Sequence, residues 1–211
     1  MAGTDASLKV DLALVLAVDC SSSVDPVEFR IQMEGIAAAL RHPAVQDAIA
    51  AGREHRIALS LVLWSGARSQ SVAMPWQALA TSQDLEAAAT TIAAAHRDWQ
   101  AGGTALALAI DYCANLLAAI PFAATRRVID VSGDGIDNVT GTTETSRDRA
   151  VAQGITINGL PIAKGSQLLP VYYKTRVIGG RDAFVEPAAD IHAFEGTILR
   201  KLLREIGHPI A

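Results

Sequence analysis

Val10-Asp11-Leu12-Ala13-Leu14-Val15-Leu16-Ala17-Val18 is a nearly unbroken apolar run, and it passes straight into Asp19-Cys20-Ser21-Ser22-Ser23. A run of this length rich in Val and Leu fits a strand buried on both faces, as in a parallel sheet. The polar loop that ends it is followed by Pro26, which suits the first turn of a helix. Phe29, Met33, Ile36, Ala37 and Leu40 then recur at helical spacing. Strand, polar loop and helix make the opening of an α/β unit.

The same alternation continues along the chain. Arg56 to Trp64 reads as a second strand, and Ser69 to Trp76 as a third, joined by a turn at Ser65-Gly66. So short a connection predicts an antiparallel hairpin. Thr81 and Asp84 form a capping-box pattern before a helix over Leu85 to Ala95. Gly102-Gly103-Thr104 opens a helix with Leu106, Ile110, Cys113 and Leu117 on one stripe. Arg127 to Val131 is a fourth strand, ending in Ser132-Gly133-Asp134-Gly135. A short helix over Ser146 to Gln153 stops at Gly154, and Ile155 to Leu160 is a fifth strand. Pro170 to Thr175 fits either element. Ala183 to Val185 reads as a short sixth strand before a final amphipathic helix carrying Ile191, Phe194, Ile198, Leu202 and Ile206. The expected architecture is an α/β fold. It has a doubly wound, mostly parallel six-stranded sheet with one antiparallel edge strand and helices on both faces. A single domain over 10–207 is expected, between short tails at 1–9 and 208–211.

Composition supports this reading. The chain has 211 residues, half of them (50%) hydrophobic, 19% charged and 5% aromatic. That is a length for one domain with an ample core. Alanine supplies much of the apolar fraction, which favours helix. The net charge of −4, from 18 basic and 22 acidic residues, argues against a general nucleic-acid binder and against a polybasic membrane-surface protein. No run reaches the roughly 18 apolar residues of a membrane span. The two cysteines, Cys20 and Cys113, lack zinc or thioredoxin spacing. Both read as buried thiols, with a bridge between them left open. His42, His55, His96, His192 and His208 show no ligand spacing, and Trp64, Trp76 and Trp99 read as core.

Ligands of open α/β sheets bind outside the carboxyl ends of the strands. Asp19-x-Ser21-x-Ser23 follows the first strand, Thr104 starts the helix before the fourth, and Asp134 follows the fourth. In an extended loop, residues two apart point the same way, so Asp19, Ser21 and Ser23 can converge. Hard oxygen donors of this kind suit Mg²⁺, with Mn²⁺ and Ca²⁺ as alternatives. Taken singly, Ser21, Ser23 and Thr104 are ordinary helix caps. Their joint occurrence with Asp19 and Asp134 favours a metal centre.

In these residues the chain resembles the von Willebrand factor A (VWA) domains that carry a metal-ion-dependent adhesion site. The family pattern is Asp-x-Ser-x-Ser, a distant Thr, and a later Asp before Gly. Trp64-Ser65-Gly66, Arg126 to Gly135, Ile157-Asn158-Gly159-Leu160-Pro161-Ile162 and Val177-Ile178-Gly179-Gly180 extend the resemblance to an uncharacterised bacterial branch, over nearly the whole chain. The resemblance implies a metal held by the Ser21, Ser23 and Thr104 hydroxyls. Asp19 and Asp134 would act directly or through water, with one position open to an acidic group of a protein partner. It also implies a non-enzymatic adhesion or scaffold module. One departure concerns the last ligand: many relatives place Thr or Ser directly before the Asp, whereas Gly133 stands here, and Asp130 and Asp137 are the alternatives to Asp134.

Two other functions compete. A metal-assisted hydrolase or phosphotransferase could use the same edge. However, no nucleophile elbow, phosphate loop or His-Glu-x-x-His is present, and Ser21 stands where a dehalogenase-type phosphatase needs its second Asp. A structural domain with a silent site is the other. Partner-contacting loops are expected at Ser65 to Arg68, His96 to Gly103 and Ile136 to Thr145. The compartment stays open. The resemblance points to the periplasm or exterior, and no export signal is legible, which leaves the cytoplasm.

Overall fold

The computed structural model describes residues 7–97 and 102–207. Trp99 and His208 lie outside them, as does part of the expected contact loop from His96 to Gly103. The first apolar run forms β1 (Lys9–Asp19) at the centre of the sheet, buried along almost its whole length. Its neighbours are β2 (Ile57–Trp64) and β4 (Ala123–Gly133), both parallel to it. β3 (Gln70–Leu79) pairs antiparallel with β2, and β5 (Thr156–Pro161) lies parallel to β4. The order is β3-β2-β1-β4-β5.

The period of two in a strand sorts β1 between two cores. Leu12, Leu14, Leu16 and Val18 face α1 (Pro26–Arg41), α2 (Pro43–Ala50), α3 (Ser82–Ala93) and α7 (Phe194–Ile206). Ala13, Val15 and Ala17 face α4 (Leu106–Ala118), α5 (Thr143–Ala152) and the segment of α6 (Leu168–Tyr172), which continues as a wider turn over Tyr173–Val177. Small residues on the second face let α4 approach closely. Trp64 is fully buried there, and Cys20 and Cys113 are buried unbridged thiols.

Among the described residues the sheet has five strands, not six. The 183–188 segment runs beside β5 through single bridges, Gly159 with Val185 and Ile162 with Ala188. Pro161 of β5 stands between them without an N–H to reach the Glu186 carbonyl, so the ladder is broken there. Pro170 lies inside helical α6.

Local caps set the helix starts. Asp25 caps α1, accepting from Val27 and Glu28 N–H groups, and the Glu28 carboxylate accepts from the Asp25 N–H. Thr81 and Asp84 form the expected box at α3, and His42 caps α2 through Nδ1. The amino ends of the parallel strands gather at one pole. There Arg126 donates to the Glu205 carbonyl near the end of α7, and Lys9 pairs with Ala123. The carboxyl ends of β1 and β4 meet at the opposite pole.

Candidate metal centre

β1 delivers Asp19 to the carboxyl pole fully buried. The chain then turns tightly, and the Ser21 N–H donates to Asp19 Oδ1 at 2.7 Å. Ser21 Oγ lies 3.2 Å from Ser23 Oγ, and the Ser23 hydroxyl donates to Asp134 Oδ1 at 2.5 Å. Neither serine caps α1, because Asp25 does so. Thr104 does not cap α4 either: the residue at that position is Ala105, which makes no side-chain cap bond. Thr104 is buried and stands over Gly135, where an added Cβ would lie 3.1 Å from Thr104 Oγ1. All five sequence-predicted ligands therefore sit at one pole, with Asp19, Ser21, Ser23 and Asp134 in a chain of direct contacts.

The two alternative aspartates are engaged elsewhere. Asp130, inside β4, pairs with Lys201 of α7 at 2.7 Å. Asp137 accepts from the Ala107 N–H at the start of α4 and from the Val139, Thr140 and Gly141 N–H groups. Burial pushes its pKa up, and these backbone donors outweigh burial and hold it below the ordinary value.

Burial pushes the Asp19 carboxyl up to about 7, against the opposing bonds from Ser21, and the Asp134 charge adds to the rise. Its Oδ2 is buried without a hydrogen-bond partner, and so is the Tyr173 hydroxyl. Both crowd Gly133: a Cβ there would lie 2.9 Å from each oxygen. That crowding explains the Gly133 departure, since no side chain fits between Asp19 and Tyr173. A buried acceptor left unpaired is costly. A hard cation beside Asp19 and Asp134 would supply the missing partner, and the hydroxyl and carboxylate oxygens present fit such an ion. Among the described residues, no three His, Cys, Asp or Glu side chains converge. The fit therefore depends on the hydroxyls.

Several contributors carry no local sequence signal. Lys164, in the loop after β5, places its Nζ 2.7 Å from Asp134 Oδ2 and 2.7 Å from Glu28 Oε1. It also donates to the Ser23 carbonyl at 3.0 Å. Asn138 accepts from the Thr104 N–H, and Ser65 Oγ accepts from the Gly102 N–H. Ser22 donates its N–H to the Gly102 carbonyl, which ties the Asp-x-Ser-x-Ser loop to the glycine loop. Ser65 and Asn138 do lie in the loops expected to contact a partner, although nothing in the sequence gives them these roles.

A family model described as "Protein of unknown function (DUF1194)" matches residues 9–210. No curated protein sequence matches the chain. Among solved structures, proximal thread matrix protein 1 from the mussel byssus superposes with TM-score 0.70 at 13% identity, over 95% of this chain and 48% of that one. Another structure of the same mussel protein, "with zinc occupied MIDAS motif", gives 0.65 at 13% identity, over 95% of this chain and 49% of that one. This chain thus spans about half the length of the mussel protein. The vWF domain of the type V pili tip protein Mfa5 from Porphyromonas gingivalis gives 0.62 at 12% identity, over 96% and 98% of the two chains. At such identities the likeness is one of fold, and the fold is that of VWA domains.

Proposed function

We propose, for a chain that belongs to the DUF1194 family, that the carboxyl-pole cluster is a divalent-cation centre through which the domain binds a protein partner. The observation that carries this reading is the buried Asp19 Oδ2, unpaired beside a continuous set of hydroxyl and carboxylate oxygens. The Ser21, Ser23 and Thr104 hydroxyls would hold the ion. Asp19 and Asp134 would balance its charge, directly or through water. Mg²⁺ suits these donors best, with Mn²⁺ and Ca²⁺ as alternatives. A bound ion would supply a positive centre for one further oxygen ligand, such as an Asp or Glu carboxylate of the partner.

This chain's own residues build the rest. Gly133 lets Tyr173 close over Asp19 and keeps its carboxylate from water. Asn138 and Ser65 fix the loops that bring Thr104 and the glycines to the edge. The arrangement serves recognition rather than bond making. The mussel and pilus-tip neighbours, a matrix protein and a pili tip protein by name, agree with an adhesion or scaffold role.

Titration calorimetry with Mg²⁺, Mn²⁺ and Ca²⁺ tests the centre. Wild type is expected to bind one ion, and Asp19→Ala and Ser21→Ala to lose it while their circular dichroism is unchanged. Equal affinity in both variants would overturn the assignment. Binding of Asp- or Glu-bearing peptides that survives a chelator would overturn the role given to the ion.

A further inference from the structure

Lys164 is the only ammonium touching the cluster among the described residues, and nothing in the site's oxygen pattern calls for it. It follows β5 on a turn where its own φ is +46° and that of Gly165 is +81°. A left-handed residue other than Gly, Asn or Asp is uncommon, and this one aims a four-carbon arm back across the pole. The arm crosses 141 residues of sequence to reach the Ser23 carbonyl and contacts Glu28 and Asp134 beside it.

The quality of these contacts differs. The ammonium donates properly to Glu28 Oε2 at 2.8 Å and to the Ser23 carbonyl. Towards Asp134 Oδ2 it is close, at 2.7 Å, but off the angle of a hydrogen bond. Asp134 is therefore held by charge alone on that oxygen, and Glu28 offers the lysine a complete partner without it. The Lys164 side chain is 34% exposed, whereas that of Asp134 is 1% exposed. One partner is immobile and shielded, and the other is hinged at the surface.

We infer that the Lys164 ammonium is a tethered counter-cation: it balances Asp134 in the metal-free protein, gives that carboxylate up when a divalent ion binds, and so sets how tightly the ion is held. The inference rests on the metal-centre reading above. Two cations cannot both sit against Asp134 in a shielded site without strong mutual repulsion. The lysine withdraws to Glu28 and solvent, which its flexible stem permits. The ion thus binds against a competitor whose local concentration never changes.

Calorimetry on wild type, Lys164→Gln and Lys164→Arg gives the first test. Lys164→Gln should bind the divalent ion on the order of tenfold more tightly, and Lys164→Arg should stay within about twofold of wild type. Equal or weaker binding by Lys164→Gln overturns the inference, as does equal tightening by Lys164→Arg. Absence of binding by all three proteins removes the metal centre itself. Binding by all three with one affinity removes only the lysine's role.

A second measurement needs no variant. Amine labelling read by mass spectrometry should show Lys164 of the wild type becoming more reactive when Mn²⁺ or Mg²⁺ is added over chelator. Lys9 and Lys174 serve as references. Reactivity that stays level or falls overturns the displacement.

Discussion

Two regions of this molecule contain the same ionic motif, one lysine between an aspartate and a glutamate. At the carboxyl pole, Lys164 lies 2.7 Å from both Asp134 and Glu28. Inside the sheet, Lys201 of α7 lies 2.7 Å from both Asp130 and Glu205. In each, the lysine makes a proper hydrogen bond to the glutamate and only a close ionic contact with the aspartate. Their surroundings differ. Lys201, Asp130 and Glu205 are all buried, and Asn158 donates to Glu205 while Lys201 lies over the Phe184 ring. Lys201 rides on a helix packed against α1, whereas Lys164 sits on a turn open to solvent. The same three charges can therefore act as a permanent clasp or as an exchangeable one, depending on whether the cation can leave.

The widest break in this comparison comes from the two lysines. Lys201→Ala would leave buried carboxylates without their cation and should cost about 3–5 kcal/mol in urea unfolding. Lys164→Ala, measured in chelator, should cost less, about 1–2 kcal/mol, because the lysine is itself partly exposed and the shielded Asp134 keeps its bond from Ser23. Equal losses would erase the distinction.

Gly133→Ala comes next. The added Cβ would press on Asp19 Oδ2 and the Tyr173 hydroxyl, each at 2.9 Å. Overpacking should cost about 1–3 kcal/mol and weaken ion binding. A variant with wild-type stability and affinity would show that the pole is looser than the core.

The pH dependence sharpens the core side. Burial, with the Glu205 charge added and Lys201 opposing, pushes Asp130 up to about 7. Between about pH 4 and pH 7 the folded protein keeps a proton that the unfolded chain has released. Stability from this group is full below about pH 4 and declines as pH rises towards 7. The decline should be at least about 1 kcal/mol, and Asp130→Asn should reduce it, leaving in the ion-free protein the share that comes from Asp19, whose carboxyl burial also raises. A profile unchanged by Asp130→Asn would place the proton on another group.

The smallest effect is expected from Tyr173→Phe. It removes a buried hydroxyl that has no partner and should leave the metal-free protein equally stable or up to about 1 kcal/mol more stable. A loss above about 1 kcal/mol would mean that the hydroxyl is bonded after all.

What the sequence revealed follows the range of its patterns. The unbroken run of β1, the hairpin at Ser65-Gly66 and the capping box at Thr81 are local rules, and each is present. The order of Asp19, Ser21, Ser23, Thr104 and Asp134 was legible because all five follow or precede an element at the same pole. Lys164 and Lys201 were not legible: each meets its aspartate across the fold, with no spacing to announce it. Asp137 competes with Asp134 on paper because both follow β4. Only the placement of α4 shows that its carboxylate closes a helix start. The sixth strand failed at Pro161, a single missing donor in the neighbouring strand that alternation of apolar residues does not register.

The gathering of β1's beginning and α7's end at the amino pole has an architectural consequence. Lys9 pairs with Ala123 there, and Arg126 holds the Glu205 carbonyl close by. A stalk, neighbouring domain or surface joined through residue 7 or residue 207 would attach at the base. The Asp19 to Asp134 cluster would then project at the far tip, facing away from whatever carries it.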